Sequence, residues 1–226
     1  MLHKIPQLFM FVVIGFLVIS CQKDELTRPA EVQVKFKMGR QVQENEHFSF
    51  SEGSFQIKSI YLTGDREKGE DISFTSDFGT LIEADLSSGT AMPPIHFDLP
   101  QGSYNNIELV VTTGSAIAIS GLYKRAAPLL PDTPVTLELD IEEFKLQVEN
   151  EDRLSDISLD KTTGAVIEVY LNPIDWFETV PLVNLEGATL ETVNGLPSMV
   201  ISKDSNQRLY ENLNVRIPEA LMAIIK

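Results

Sequence analysis

The sequence predicts an all-β protein, an antiparallel β-sandwich with a small C-terminal helical appendage. Hydrophobic residues make up 43% of the 226 residues, which is enough for a real core. Apolar and polar residues alternate with a period of two in many short segments, as in strands with one buried face. No strong helical period of ten or more residues occurs before residue 180, so the parallel α/β alternative lacks its helices.

The predicted strands follow one another from residue 31 to residue 171. In the first, EVQVKFKM, the apolar positions are Val32, Val34, Phe36 and Met38. The other predicted strands are residues 55–63, 71–76, 80–86, 94–99, 105–113, 115–123, 134–141, 143–149 and 165–171. Loops that are charged or rich in Pro, Gly and Ser separate them, at residues 63–71, 86–94 and 130–134. Many short strands at this spacing indicate a sandwich.

The segment FDLPQGSYNNIELVV contains the most recognisable turn. Gly102 can take the positive φ that this turn needs, and Tyr104 can pack its ring and donate its hydroxyl to a nearby backbone group. The Leu-Pro-x-Gly-x-Tyr pattern resembles the turn of prealbumin-like and Cna-B-like sandwich modules. It is also similar to a domain of unknown function that is common in Bacteroidota lipoproteins. The resemblance implies a sandwich of seven to nine strands over residues 31–178, and it supplies no catalytic residues.

The tail that follows Pro181 has a different character. The segment EGATLETVNGLPSMVIS predicts a ribbon with a turn at Asn194-Gly195. KDSNQRLYENL predicts a short helix capped by Asp204 or Ser205. RIPEALMAIIK predicts a second helix with Pro218 at its first position and one apolar face, formed by Ile217, Leu221 and Ile224. We expect this helix to dock on the sandwich, so residues 31–180 form the domain and residues 181–226 the appendage.

The first twenty residues have the pattern of a secretory signal peptide. Lys4 and the amino terminus supply positive charge, and twelve apolar residues follow from Leu8 to Ile19. Twelve is short of the roughly 20 residues that a membrane-spanning helix needs, which favours a signal peptide over an uncleaved anchor.

The chain has one cysteine, which lies at the end of this apolar run. The segment Val18-Ile19-Ser20-Cys21 resembles the bacterial lipobox. This resemblance implies that the Cys21 sulfur carries a diacylglyceryl group and that cleavage occurs before it. Two or three acyl chains would hold the protein stably at a membrane, at roughly 0.8 kcal/mol per buried methylene. Residues 21–30 would then be the lipidated cysteine and its tether.

The tetrapeptide Gln22-Lys23-Asp24-Glu25 comes directly after the cysteine. It closely resembles the export signal of Bacteroidota-type surface lipoproteins, in which Gln-Lys precedes acidic residues. The resemblance implies an outer-membrane protein that faces outside the cell. A generic polar tether, with the protein on the inner leaflet of the outer membrane, is the alternative.

Charge and motifs restrict the functional classes. After residue 20 the chain has 17 basic and 33 acidic residues, so nucleic acid is a poor partner. His47 and His96 lack the spacing of a metal motif, and no nucleophile elbow, phosphate loop or dinucleotide fingerprint occurs. We therefore predict no catalytic residues, no metal and no cofactor. His96 is expected to face solvent.

Two features leave alternatives open. Residues 138–160 contain nine acidic residues, which suits either calcium or a basic partner, or else a solvated sheet face. Trp176 and Phe177 follow a predicted strand, where they would either stack on a sugar ring or close one end of the core.

These observations predict a lipoprotein that acts as a non-enzymatic binding or assembly module for a glycan or protein ligand. A pilus-type structural subunit is one alternative and would need a displaceable terminal strand. A glycan-active enzyme is another and would need converging carboxylates in a concave site.

Overall fold

The part of the chain that the structure describes is mostly β, with 61% strand and 11% helix, as the sequence predicts. The computed structural model describes residues 29–39, 43–44, 47–125, 131–152, 156–217 and 221–226. The predicted signal peptide, Cys21 and the tetrapeptide 22–25 lie outside the described residues. In the described part, a large mixed sheet is accompanied by three short helices.

Every predicted strand segment contains a strand, and the two predicted strands at 71–76 and 80–86 are one continuous strand. The strands are β1 (Pro29–Met38), β2 (Gln43–Glu44), β3 (Phe48–Arg66), β4 (Ile72–Asp85), β5 (Thr90–Met92), β6 (Ile95–Pro100), β7 (Gly102–Thr113), β8 (Ile117–Tyr123), β9 (Thr133–Leu139), β10 (Glu143–Asn150), β11 (Ile157–Leu159), β12 (Ala165–Leu171), β13 (Glu191–Val193), β14 (Leu196–Ile201) and β15 (Leu221–Ile225). The helices are α1 (Pro173–Phe177), α2 (Leu182–Glu186) and α3 (Gln207–Asn214).

The long strand β3 connects two arms of the sheet. Its first half pairs with β8, and its second half pairs with β7, while β4 pairs along Ser54 to Gly64. From β8 the first arm continues through β9, β14 and β13. From β7 the second arm continues through β10, β15, β12, β1 and β6.

The pairing is not purely antiparallel. Among the described strands, β1 runs parallel to β12, β10 to β15, and β14 to β9. Alternation reports that a segment is a strand with one buried face, but it carries no information about the direction of the neighbouring strand. The predicted antiparallel order therefore holds only for part of the sheet.

One hydrophobic cluster joins the inward faces of both arms. Phe36 of β1 packs edge-on against Phe55 of β3, with ring centroids 5.3 Å apart. Such aromatic pairs contribute about 0.5–1.5 kcal/mol beyond the area that they bury. Close backbone approach is also part of this packing, because a Cβ atom at Gly121 would lie 2.2 Å from the carbonyl oxygen of Ser49.

The predicted turn between β6 and β7 is confirmed. Gly102 has a φ of +128°, which favours glycine. The Tyr104 ring is fully buried, and its hydroxyl donates a 2.6 Å hydrogen bond to the carbonyl oxygen of Pro100. Burial raises the pKa of the Tyr104 hydroxyl, against the opposing effect of the Arg66 charge. The Tyr104 side chain thus links the start of β7 to the last residue of β6 across the turn.

The predicted C-terminal helix is wrong. Residues Leu221–Ile225 form β15, which lies between β10 and β12 in the second arm. Leu221, Ala223 and Ile225 alternate inward with a period of two, and hydrogen bonding to two neighbouring strands outweighs the helix propensity of Leu, Met and Ala. Pro218, the predicted first helical residue, lies outside the described residues.

The Asn194-Gly195 turn is confirmed, since both residues have positive φ between β13 and β14. The following helix, α3, is also confirmed, but its predicted cap is wrong. Asn206 is the capping residue and has a φ of 50°. Its side chain instead bonds the Thr189 backbone and the Val200 carbonyl, which ties the start of α3 to the hairpin.

Candidate functional site

The candidate site is built around a buried glutamate in β12. This strand has the sequence AVIEVYL, and both of its faces are buried over its last five residues. Glu168 is only 7% exposed. A carboxylate in such a position must be paired, because removing an isolated charge from water costs far more than a fold can tolerate.

Strand register gathers the partners of Glu168. Glu168 and Tyr170 are two residues apart on β12 and so share one face of the sheet. Lys37 of β1 lies opposite Tyr170 in the parallel pair. Lys226 follows β15 directly, and two backbone hydrogen bonds with Val166 hold it beside β12.

These four side chains form a continuous hydrogen-bonded cluster. Lys37 Nζ donates to Oε1 of Glu168, and the Tyr170 hydroxyl donates to Oε2. Lys226 Nζ lies 2.7 Å from Oε2 of Glu168 and 3.3 Å from the Tyr170 hydroxyl oxygen. We call Lys37, Glu168, Tyr170 and Lys226 the lysine–glutamate cluster.

The cluster keeps the glutamate ionised. Burial raises the pKa of Glu168, but hydrogen bonds from Lys226, Lys37 and Tyr170 outweigh it and lower the pKa to about 2. The same hydrogen bond to Glu168 raises the pKa of Lys226, with a smaller contribution from Tyr170. Glu168 and Lys226 are therefore both charged at neutral pH.

The turn between β4 and β5 forms a wall beside the cluster. The Asp85 carboxylate accepts hydrogen bonds from the backbone of Ser87, at 2.8 Å, and from the Ser88 hydroxyl, at 2.7 Å. These bonds, chiefly the one from the Ser88 hydroxyl, lower the pKa of Asp85 despite its partial desolvation. A Cβ atom at Gly89 would lie 2.8 Å from carbons of the Lys37 side chain, so the lysine stem packs against this turn.

The cluster and the turn border an open cavity of about 670 Å³. This volume is within the range of small-molecule sites, roughly 300–1,000 Å³. Its described lining residues are Lys37, Met38, Gly39, Phe50, Ser51, Leu86, Ser87, Ser88, Gly89, Glu168, Tyr170 and Lys226. The cavity thus presents ammonium groups and hydroxyls, which can bind an anion or a polyol.

The interpretation of Trp176 and Phe177 as a sugar-stacking pair is wrong. Both lie on α1, and they are 0% and 5% exposed. Phe177 stacks on Phe48 of β3, with ring centroids 4.1 Å apart. Neither ring presents a face to solvent, and the two aromatics instead cover one part of the core, as the alternative interpretation holds.

The remaining candidates do not converge on a site. His96 is exposed as predicted, and its Nδ1 lies 2.8 Å from Oε1 of Glu31. Glu138 of β9 and Glu149 of β10 are exposed, and so is Asp140, which follows β9 directly. Within the described ranges, no group of three or more His, Cys, Asp or Glu side chains is arranged to hold a metal ion.

The lysine–glutamate cluster is not predicted from the sequence. One signal was present, because Glu168 interrupts an otherwise apolar strand whose neighbours show no alternation. Lys37 gave no signal, since it takes a polar position in the alternation of β1, and Lys226 is a single lysine that follows an apolar segment. Only the strand order places them beside Glu168.

Comparison with known proteins gives no match. No protein-family model matches the chain, and no curated protein or solved structure is significantly similar to it. Of the helices in the described part of the chain, none combines the length and apolar composition that a membrane span requires.

Proposed function

We propose that the protein is a lipid-anchored lipoprotein of the outer membrane, facing outside the cell, and that it is a non-enzymatic binding module for a glycan. The lipobox at Cys21 supports the anchor, and Gln22-Lys23-Asp24-Glu25 supports export to the surface. We take the two arms of the sheet as the two layers of a sandwich that carries the site. The lipid anchor is the link to the membrane, and the protein takes no cofactor.

The cavity around the lysine–glutamate cluster is the observation that carries this proposal. Replacing a whole buried ion pair by apolar residues of similar size is often neutral for stability, because desolvation offsets the attraction, although removing one partner alone is costly. A cluster of two ammonium groups, a carboxylate and a phenol on the wall of a cavity is thus better explained by a ligand. Ser51, Ser87 and Ser88 add hydroxyls that suit a polyol.

The same cavity argues against the enzyme alternative. Glycoside hydrolysis uses two carboxyl groups, one of which must hold a proton near neutral pH. Among the described residues that line the cavity, Glu168 is the only carboxylate, and its pKa is lowered. We therefore propose binding without turnover.

Immobilised oligosaccharides test the proposal with full-length protein in detergent. Ser51 lies on the rim of the cavity and is exposed, so Ser51→Trp should fill the opening and reduce retention on bound glycans at least tenfold. Ser158→Trp, on an exposed position of β11, is the matched control and should retain wild-type binding. Unchanged retention of Ser51→Trp would locate binding elsewhere, and no retention on any glycan would reject a glycan ligand.

A pilus-type subunit is the second candidate, and the position of β15 favours it. This strand pairs with both β10 and β12, so exchange of β15 between copies would link one sheet to the next. Under this candidate, wild-type protein forms heat-resistant ladders that are lost when residues 221–225 are deleted and restored when a peptide of that sequence is fused to another copy. A strictly monomeric wild type would contradict it.

A further inference from the structure

The cavity has a surplus of positive charge. Among its described lining residues, Lys37 and Lys226 are cations and Glu168 is the one anion. The Asp85 carboxylate, at the base of the neighbouring turn, accepts hydrogen bonds from Ser87 and Ser88. The two lysines thus share one carboxylate, and the described side chains that line the cavity carry one more positive than negative charge.

Both lysines have N–H donors that the lysine–glutamate cluster does not fully use. An ammonium group has three N–H donors. In the described structure, Lys37 gives one to Glu168, and Lys226 gives one to Glu168 and one to Tyr170. Their side chains are 33% and 35% exposed, so each ammonium reaches the cavity while its stem is packed. A small oxyanion between them would accept charge-assisted hydrogen bonds from both.

The charge of the whole chain restricts the anion. The protein has 33 acidic and 18 basic residues, so its field repels polyanions such as nucleic acids and polyphosphates. A ligand with a single anionic group is repelled least by this field. Salt screens its close contacts with the two lysines only weakly, so these contacts still favour binding. The cavity volume of about 670 Å³ suits one or two sugar rings.

We propose that the cavity recognises an acidic sugar, with Lys37 and Lys226 binding its single carboxylate or phosphate group and the cavity hydroxyls binding its polyol frame. This inference rests on the proposed glycan-binding function and names the chemical class of the ligand. Glu168 pairs with both lysines and competes with the bound anion for their N–H donors.

Titration calorimetry with three probes tests the inference on full-length protein in detergent. The probes are glucuronate, glucose 6-phosphate and glucose, which share one ring and differ in charge. We expect one of the two acidic probes to bind at least tenfold more tightly than glucose, and which one it is distinguishes a carboxylate from a phosphate ligand. Equal binding of all three would overturn the inference and leave the glycan-binding function standing. No binding of any probe, with glycans retained on an array, would also overturn it.

Lysine variants supply the second readout. Lys37→Met and Lys226→Met keep the packed stem and should each weaken binding of the acidic probe at least tenfold, with little effect on glucose. Lys145→Met is the matched control, because Lys145 pairs with Glu108 at 2.7 Å outside the cavity. A structural role alone would weaken all probes together.

Glu168→Gln should change the affinity for the acidic probe in the direction opposite to the lysine variants. The change removes the competing carboxylate, so the acidic probe should bind at least threefold more tightly if this variant folds. Weaker binding of the acidic probe by a folded Glu168→Gln protein would contradict the assigned anion site. If the variant does not fold, the two lysine variants decide the question.

Discussion

At the scale of single residues, Glu168 distinguishes this protein from an ordinary β domain. Its carboxylate is buried in a strand between apolar neighbours, yet two lysines and a tyrosine lower its pKa to about 2. Lys226 has a raised pKa and stays protonated as the glutamate titrates. In acid the charge state of the cluster therefore depends on Glu168 alone. The contribution of the Glu168 carboxylate to stability can thus be measured as a function of pH.

Stability in acid should report this contribution. The pKa of Glu168 is lower in the folded protein than the ordinary value of about 4.3, so its ionised form stabilises the fold by up to about 3 kcal/mol above about pH 5. This stabilisation decreases as the pH falls from about 4.3 towards 2. The advantage of wild type over Glu168→Gln in free energy of unfolding should shrink by about 1–2 kcal/mol between about pH 6 and about pH 3.

Urea denaturation at each pH measures that difference. Glu138→Gln, at an exposed position of β9, controls for the loss of one charge and should differ from wild type by less than about 0.5 kcal/mol. A constant difference between wild type and Glu168→Gln across the range would mean that the cluster does not lower the pKa of this carboxylate.

At the scale of elements, local patterns predict strands and turns but not their partners. Alternation in residues 31–38 and 143–149 gives β1 and β10, and Asn194-Gly195 gives the last hairpin, because these signals lie within a few residues. The place of β15 depends on a gap between β10 and β12, which are far away in the sequence. The site shares this dependence, since parallel pairing of β1 with β12 brings Lys37 to Glu168.

The contact between β3 and β8 offers a test at this scale. A Cβ atom at Gly121 would meet the Ser49 carbonyl oxygen at 2.2 Å and the Phe50 backbone at 2.9 Å. We expect Gly121→Ala to force these strands apart and lower the free energy of unfolding by about 1–3 kcal/mol. Gly79→Ala is the matched control, because no heavy atom lies within 4 Å of its added Cβ. If both variants lose the same free energy of unfolding in urea denaturation, the pairing register of β3 and β8 would be contradicted.

At the scale of the whole molecule, the proposed anchor and the cavity are separate parts of one account. The segment 18–21, which resembles a lipobox, and the tetrapeptide 22–25 are the proposed signals for processing and sorting, and they predict where the protein resides. The cavity belongs to the folded sheet and predicts what it binds there. Neither part follows from the other, so each needs its own measurement.

Metabolic labelling with a clickable fatty acid measures the anchor. Cys21→Ala removes the sulfur that would carry the lipid, so labelling should disappear and unprocessed precursor should accumulate. Ser20→Ala keeps a small residue before the cysteine and should be labelled like wild type. A Cys21→Ala protein that is still labelled would rule out lipidation at this residue.

The central claim is that a surface-anchored protein binds a glycan in the cavity lined by Lys37, Glu168 and Lys226. Capture of fluorescent oligosaccharides by intact cells tests it most directly, with surface protein quantified by antibody on the same cells. Wild type should capture the glycan, and Ser51→Trp should be displayed equally but capture at least tenfold less. Replacing residues 22–25 by Ala should abolish capture by intact cells and preserve it after lysis. Equal capture by the wild-type and Ser51→Trp cells would contradict the claim.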